Sequence, residues 1–480
     1  MSHGNKARFL LATAMLMCAG AAQAETLREA LWRAYTSNPT LTGARAGQRA
    51  LDESAVLSRS AALPNVNASG SYTENLRSTV DTPLSPDRYA SGRISASMPI
   101  DIAGSVRFGI KSAKARVEAG QANLRGTEAD VFSAVVAAYM DVIRDQAIVE
   151  LNWTQVRVLG VNLEATKDRF QVGDLTRTDV AQSEARLALA RAQLQQAEAR
   201  LISSKENYVQ LVGTAPDNLE APPALPNLPT TPDSAVAVAL KNNPDLIAAG
   251  KARDASRYDV SIAKAARLPR FAAVADTSYT DYLNSLPAAV AGSTRASTAG
   301  VQMTMPLFQG GGSAAQVRQA QARQSQAIER EIAVERGVIA ATRAAFASWQ
   351  ASSEVIKSAE IAVQANALAL EGVRAENSVG SRTILDILDA ERELLNAQVE
   401  LVSAQRNAYV AGFQLLSAMG QAEARDLGLD GGALYDPTQN YRRVKGIFWD
   451  WDQDAKPKPQ ATRTVDSKAQ TSDMSATPGK

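Results

Sequence analysis

Two stretches without proline, residues 100–215 and 307–436, carry large apolar side chains at a spacing of seven. In the first, Val135, Val142, Val149, Val156, Leu163 and Phe170 fall in step, followed by Val180, Leu187, Leu194, Leu201 and Tyr208. The second repeats the pattern with Trp349, Ile356, Val363 and Leu370, then Ile387, Leu394, Leu401, Ala408 and Leu415. A sustained period of seven is a coiled-coil seam. Three residues on lies a stripe of alanine, Ala390, Ala397, Ala404, Ala411 and Ala418, which lets helix axes approach closely. A large seam beside a small one suits a helix gripping neighbours on both sides, as a curved wall of helices requires. The pattern predicts long helices over 105–172 and 312–379, each about 100 Å long if continuous. Gly109, Gly120, Gly126 and Gly160 are candidate bends in the first. Shorter return helices are expected over 174–212 and 381–419.

Elsewhere the period is two. Val66, Ala68, Gly70 and Tyr72 alternate with Asn67, Ser69, Ser71 and Thr73, and Ile94, Ala96, Met98 and Ile100 alternate with Arg93, Ser95 and Ser97. Such segments are strands with one apolar and one polar face. A second pair is expected at 271–282, where the pattern is loose, and 299–305. Loops rich in turn-forming residues, 79–89 and 284–293, join each pair. Ahead of the strands, single helices are expected over 26–63 and 232–268, ended by Pro64 and Pro269.

The chain is two copies of one unit. Asn38-Pro39 recurs as Asn243-Pro244 and Leu63-Pro64 as Leu268-Pro269, both 205 residues on. Met98-Pro99, Val172-Gly173, Asp179 and Gly213 recur 207 residues on as Met305-Pro306, Val379-Gly380, Asp386 and Gly420. The expected organisation is a leader over 1–24, a first repeat over 25–213, a proline-rich linker over 214–231 and a second repeat over 232–421. A polar tail, 422–480, is expected to be disordered from about Asp454. Each copy would be a tall helical hairpin, strands at one end and a Val-Gly turn at the other. The first helix of the next segment is expected to continue the path of each return helix, with the linker bulging out between.

Composition narrows the chemistry. Lys6 and Arg8, an apolar run over 9–20 and Ala22-Gln23-Ala24 read as a secretory signal peptide. The single Cys18 and single His3 would leave with it. The remaining chain then lacks thiolate and imidazole, the commonest transition-metal and catalytic ligands. The formal net charge of +1 becomes −1 without Lys6 and Arg8, which gives no electrostatic case for nucleic acid. Aromatic residues make up 5% of the chain, too few for a carbohydrate-stacking cleft, so a carboxylate glycosidase finds no support. No later segment is an apolar run of helix-spanning length, so membrane insertion would use β-strands. Four strands cannot close a barrel, but three chains would supply twelve. A periplasmic or surface coiled-coil scaffold is the alternative that heptads alone would favour.

The segment 378–390, Ser-Val-Gly-Ser-Arg-Thr-Ile-Leu-Asp-Ile-Leu-Asp-Ala, closely resembles the second-repeat helix tip of the TolC outer-membrane efflux and type I secretion family. Arg169-Phe170-Gln171-Val172-Gly173 with Thr178-Asp179-Val180 and Glu184 resembles the first-repeat tip, and the likeness runs from about Glu25 to Gln421. The resemblance implies a mainly α fold with a membrane β-barrel: a homotrimer whose 12-strand barrel continues into a 12-helix coiled-coil α-barrel tunnel. It implies the outer membrane of a Gram-negative cell, with the helices in the periplasm. The implied partners are a periplasmic adaptor (membrane fusion protein) and an inner-membrane pump of ABC or RND type. Secreted protein or small molecules would pass with no reaction, no cofactor and no metal.

The resemblance also assigns a periplasmic gate. Arg382 corresponds to an arginine that ties the closed tip to the neighbouring hairpin, and Thr178 and Asp179 to its partners. Asp386 and Asp389 correspond to aspartates ringing the constriction, and Asn377 stands where the family can use a tyrosine. Val172, Gly173, Val379 and Gly380 correspond to adaptor-contact turns. Independently, Asp386 and Asp389 lie one helical turn apart on one face. Crowding three copies of each should raise some carboxyl pKa values and attract cations. Because Asp386 is six residues past Gly380, a solvated face explains it better than helix capping does.

Overall fold

The computed structural model describes residues 25–76, 86–286, 292–429 and 433–473. The expected leader, with Cys18 and His3, lies outside these residues, as do parts of both inter-strand loops. Each repeat contributes a short helix, a middle-length helix, two strands and a pair of long helices. In order these are α1 (Leu27–Ser37), α2 (Pro39–Ser60), β1 (Asn65–Glu74), β2 (Arg88–Ile100), α3 (Ser105–Gln171) and α4 (Arg177–Val212), then α5 (Pro232–Asn242), α6 (Pro244–Ala265), β3 (Arg270–Asp281), β4 (Ser293–Thr304), α7 (Gly312–Ser378) and α8 (Ile384–Ala418). A short α9 (Gln439–Val444) follows in the tail.

The single helices expected over 26–63 and 232–268 are each split in two. The residue before proline avoids the α region, and Asn38 and Asn243 both sit extended, at ψ 126° and 124°. Each asparagine then caps the helix that its proline opens, since Pro at the first helical position loses no hydrogen bond. Asn38 Oδ1 accepts from the Thr40 and Leu41 amides, and Asn243 Oδ1 from those of Asp245 and Leu246. The other side-chain atom does equal service. Asn38 Nδ2 donates to Leu211 O at 2.9 Å, and Asn243 Nδ2 to Ala418 O at 3.0 Å.

Those bonds join the last turn of α4 to the first of α2, and the last turn of α8 to the first of α6. The return path is therefore continued by the middle-length helix of the same repeat, not by the next segment. The 36-residue α4 and the 22-residue α2 both pack on the 67-residue α3, which neither could flank alone. Gly213 and Gly420, at φ +88° and +69°, end α4 and α8 at these junctions. A Cβ on Gly420 would stand 2.5 Å from Asn242 O.

α3 runs unbroken through all four glycines. Gly120 instead permits close packing, because a Cβ there would meet Leu51 Cδ2 at 2.3 Å. The main core lies at mid-height, where Phe132, Val135, Tyr139 and Val142 of α3 meet Leu31, Leu201, Tyr208 and Phe413. The linker packs onto it through Leu219, Leu225 and Leu228. The tail is described through Asp473 and lies against α4: Lys205 Nζ donates to Thr471 O and Asp473 O at 2.8 and 3.1 Å.

α7 is unlike α3. Twenty-two residues of α3 are buried but only six of α7, though both have 67 residues. Ile361 and Leu368, seven apart on α7, are 67% and 70% exposed. The seam of Trp349, Ile356, Val363 and Leu370 is half-buried or buried, whereas these two apolar positions beside it stand bare within one chain.

Replacing Asn243 with Ala removes a helix cap and a tie to α8, and caps of this kind are worth about 1 kcal/mol. The thermal midpoint followed by helical circular dichroism is expected to fall. An unchanged midpoint would mean the junction contributes nothing.

Candidate functional site

The four strands form one antiparallel sheet in the order β1-β2-β3-β4, so the hairpins of the two repeats join along β2 and β3. The register sums their alternation. Ala68 lies opposite Ile94, Met98 opposite Ala273, Ile100 opposite Phe271, and Phe271 and Ala273 opposite Met303 and Val301. One face therefore carries Val66, Tyr72, Ile94, Met98, Val301 and Met303, all exposed. The other face carries serine and threonine, and on it Arg93 pairs with Asp276 across the joint between repeats. β2, β3 and β4 have 13, 12 and 12 residues, enough to cross a bilayer as tilted strands. β1 and β4 leave their outer backbone edges unpaired. Among the described residues, no helix is long and apolar enough to cross a membrane.

At the far end of the long helices the two tips share one backbone design. The Gly173 amide donates to Phe170 O and the Asp174 amide to Arg169 O; Gly380 and Ser381 repeat this with Asn377 O and Glu376 O. This paired closure requires a left-handed residue, and both glycines supply it, at φ +85° and +82°. Val172 and Val379, just before them, are 81% and 79% exposed.

Each return helix opens on a reciprocal cap. Thr176 Oγ1 accepts from the Asp179 amide while Asp179 Oδ2 accepts from the Thr176 amide at 2.9 Å. Thr383 and Asp386 do the same, with 2.8 Å for the Thr383 amide. Asp386 is thus the third residue of α8, not a residue past its first turn. The expected start at 381 lay too early, and capping does explain Asp386. The hydrogen bonds from Thr383 hold the Asp386 carboxyl below its ordinary pKa, and those from Thr176 do so for Asp179. Within one chain the shift is opposite to the rise expected from crowded aspartates.

The remaining site residues occupy three separate settings. Arg382 Nε donates to Glu376 Oε2 at 2.8 Å within its own hairpin; Asp386 Oδ1 is 3.9 Å away, and no bond joins Arg382 to Thr178 or Asp179. Asn377 Nδ2 donates to Arg382 O at 2.7 Å, bracing the turn. Thr178 is exposed on α4. Asp389 lies apart from these: its Oδ1 accepts from Arg186 Nη2 of α4 at 2.7 Å, a tie between the two hairpins. Beside it the buried Glu391 accepts from Arg374 Nη2 of α7 at 2.9 Å and from Asn162 Nδ2 of α3 at 3.2 Å. Sequence reading missed Arg186, Arg374, Asn162 and Glu391: Arg186–Asp389 and Asn162–Glu391 join residues more than 200 positions apart, and Arg374–Glu391 spans 17 residues across the tip, beyond any local helical spacing. The Thr-x-x-Asp spacing at 176–179 and 383–386 was legible as a capping signature. Among the described residues, no group of His, Cys, Asp or Glu could hold a metal ion.

The profile of the outer membrane efflux protein family matches residues 31–214 and 235–421, one segment per repeat. The chain belongs to this family. It is 33% identical over 438 residues to the outer membrane efflux protein BepC of Brucella suis, covering 91% of this chain and 94% of that one. It is 28% identical over 430 residues to TolC of Escherichia coli, covering 86% of each. Among solved structures, VceC of Vibrio cholerae superposes with a TM-score of 0.71 at 24% identity, over 82% of this chain and 96% of that one. The Campylobacter jejuni CmeC outer membrane channel gives 0.74 at 16% identity, over 88% and 90%. As an outer membrane efflux protein, the chain sits in the outer membrane of a Gram-negative cell and carries its helices into the periplasm.

The Thr383 cap can be tested directly. A carboxyl held below its ordinary value stabilises the cap above that value, and the contribution is lost as pH falls through the lowered pKa. At neutral pH the cap is fully engaged, so Thr383→Ala is expected to speed proteolysis in the turn 379–383 several-fold. Cleavage at the wild-type rate would mean that the cap does not set the tip.

Proposed function

We propose that three copies of this chain close one barrel and one helical tunnel, making the outer-membrane exit duct of a tripartite export system. The observation that carries this reading is the sheet: one face is apolar from its base up to the row of Val66, Ala96, Ala275 and Ala299, with Thr277, Ser297 and Arg295 only beyond it, and both edges are open. Unpaired backbone groups are not tolerated in hydrocarbon, so β1 and β4 must pair with strands of other chains. Four strands per chain and three chains give a closed barrel of twelve, with the apolar face on lipid and the Arg93–Asp276 face on water. The sparse burial of α7, the helix that leaves β4, with Ile361 and Leu368 exposed, supports the same neighbour continuing down the tunnel.

The tips form the entrance. Val172, Gly173, Val379 and Gly380 are the surface that meets a periplasmic adaptor bound to an inner-membrane pump. Asp386 and Asp389 ring the constriction in three copies, and the hydrogen bonds from Thr383 favour an ionised Asp386. Arg382, Asn377, Thr178 and Asp179 restrain the tip, and Arg186 joins them by holding Asp389. The duct transforms nothing: cargo delivered by the pump passes through water.

Purified protein reconstituted in planar bilayers is expected to conduct ions as a trimer. A water-soluble, non-conducting protein would instead indicate the scaffold. In the conducting trimer, Arg382→Ser and Arg186→Ala are each expected to raise resting conductance, and wild-type conductance in both would remove the restraint. Replacing Asp386 and Asp389 together with Ala is expected to weaken block by a trivalent cation. Unchanged block would remove the acidic rings.

A further inference from the structure

The chain beyond residue 421 lies outside the family match, yet it follows a definite course. The Arg45 guanidinium stands 5.0 Å from the centre of the Tyr435 ring. Asn440 Nδ2 donates to Asp52 Oδ2 at 2.9 Å, and Tyr441 packs against the buried cluster of Ala55, Ala113 and Val117. These contacts advance along α2 from residue 45 to residue 55, towards the end that leads into β1. From Ala55 to the last residue of α2 the helix rises only about 8 Å. Asp454 is back beside Arg443, and Thr462 lies against Gly213 at the opposite end of α2, so residues 448–451 are the turn of an excursion towards the strands.

There the chain makes a closed loop. Both Arg443 terminal nitrogens donate to Asp454, at 2.8 and 3.0 Å, and the Asp452 amide donates to Trp449 O at 3.2 Å. The loop presents Phe448, Trp449 and Trp451, which are 75%, 66% and 84% exposed. Two of the five tryptophans in an aromatic-poor chain thus stand in water on a braced turn. Exposed indoles so placed lose free energy unless something covers them.

We propose that this loop rests in the phospholipid interface at the periplasmic face of the outer membrane, as an anchor beside the barrel. It is the part of the described tail turned towards the strands, on the side of the molecule that enters lipid under the proposed function. Indole suits the interface, where its ring meets acyl chains and its N–H meets headgroups. Asp450 and Asp452 alternate with the tryptophans, and a carboxylate is costly in hydrocarbon, which fixes the depth as shallow. The exposed Lys445, Lys456 and Lys458 flank the loop within reach of lipid phosphates.

The test uses the full chain in vesicles of phosphatidylethanolamine and phosphatidylglycerol carrying nitroxide-labelled lipid. The fluorescence of Trp449 and Trp451 is the difference between wild type and a Trp449→Phe/Trp451→Phe variant; both positions are exposed, so folding is not at risk. That difference is expected to be quenched about twofold more by a nitroxide near the acyl carbonyl than by one near the terminal methyl. Equal quenching by both labels, or quenching only by an aqueous agent, would overturn the proposal. Shielding from the aqueous agent in detergent and vesicles alike, without nitroxide quenching, would assign the loop to a protein contact and overturn it too. Conductance of the same vesicles reports barrel insertion separately.

Discussion

A hydrogen-bonded sheet cannot end in hydrocarbon, and that rule governs the rest of this molecule. Its four strands have a face that is apolar over the half nearest the helices and two unsatisfied edges, a combination stable neither in water nor alone in a bilayer. The same incompleteness recurs below the membrane. α7 leaves the open edge strand β4 and has six buried residues, with Ile361 and Leu368 bare, whereas α3, inside the sheet order, has twenty-two. In the proposed trimer one neighbour would complete both sheet and helix.

Duplication shows how such a unit is assembled from short pieces. A hairpin whose return helix is half as long as its outgoing helix would leave the rest of α3 bare. Each repeat covers it with a second helix set end to end with the first. One asparagine makes that joint: its oxygen caps the new helix while its nitrogen holds the last turn of the old one. The Asn-Pro pairs were visible as repeat landmarks, but their function depends on Leu211 and Ala418, which lie more than 170 residues away. Periodicity locates helices well and says little about what abuts their ends.

That distinction sets what could be read in advance. The long helices, the alternating strands and both Val-Gly turns rest on local patterns and stand within a few residues of expectation, although β2 and β4 run longer than their clear alternation. The tip was less legible for two reasons. Starting α8 at 381 hid the Thr383–Asp386 cap, which the Thr-x-x-Asp spacing encodes locally. The Arg186–Asp389 and Asn162–Glu391 ties are not encoded locally at all; they exist only because the hairpins pack side by side, whereas Arg374–Glu391 joins the two arms of one hairpin.

The distribution of these interactions along the height of the molecule carries the last step. At mid-height the restraint is burial, with aromatic and leucine side chains locked among four helices. At the tips it is mostly polar and half-exposed: Arg382 with Glu376, Arg186 with Asp389, and two threonine caps. Ion pairs in that setting are worth about 0–1 kcal/mol each and weaken with salt. In the proposed duct, an entrance held by a few such bonds per chain would be closed by a sum small enough for a docking partner to outweigh, unlike the core above it. Elements that must move belong to the low-stability end of a fold. Here that end is the one tipped by exposed Val172 and Val379, so under the proposed function the docking surface and the bonds that docking would break lie within the same few turns of helix.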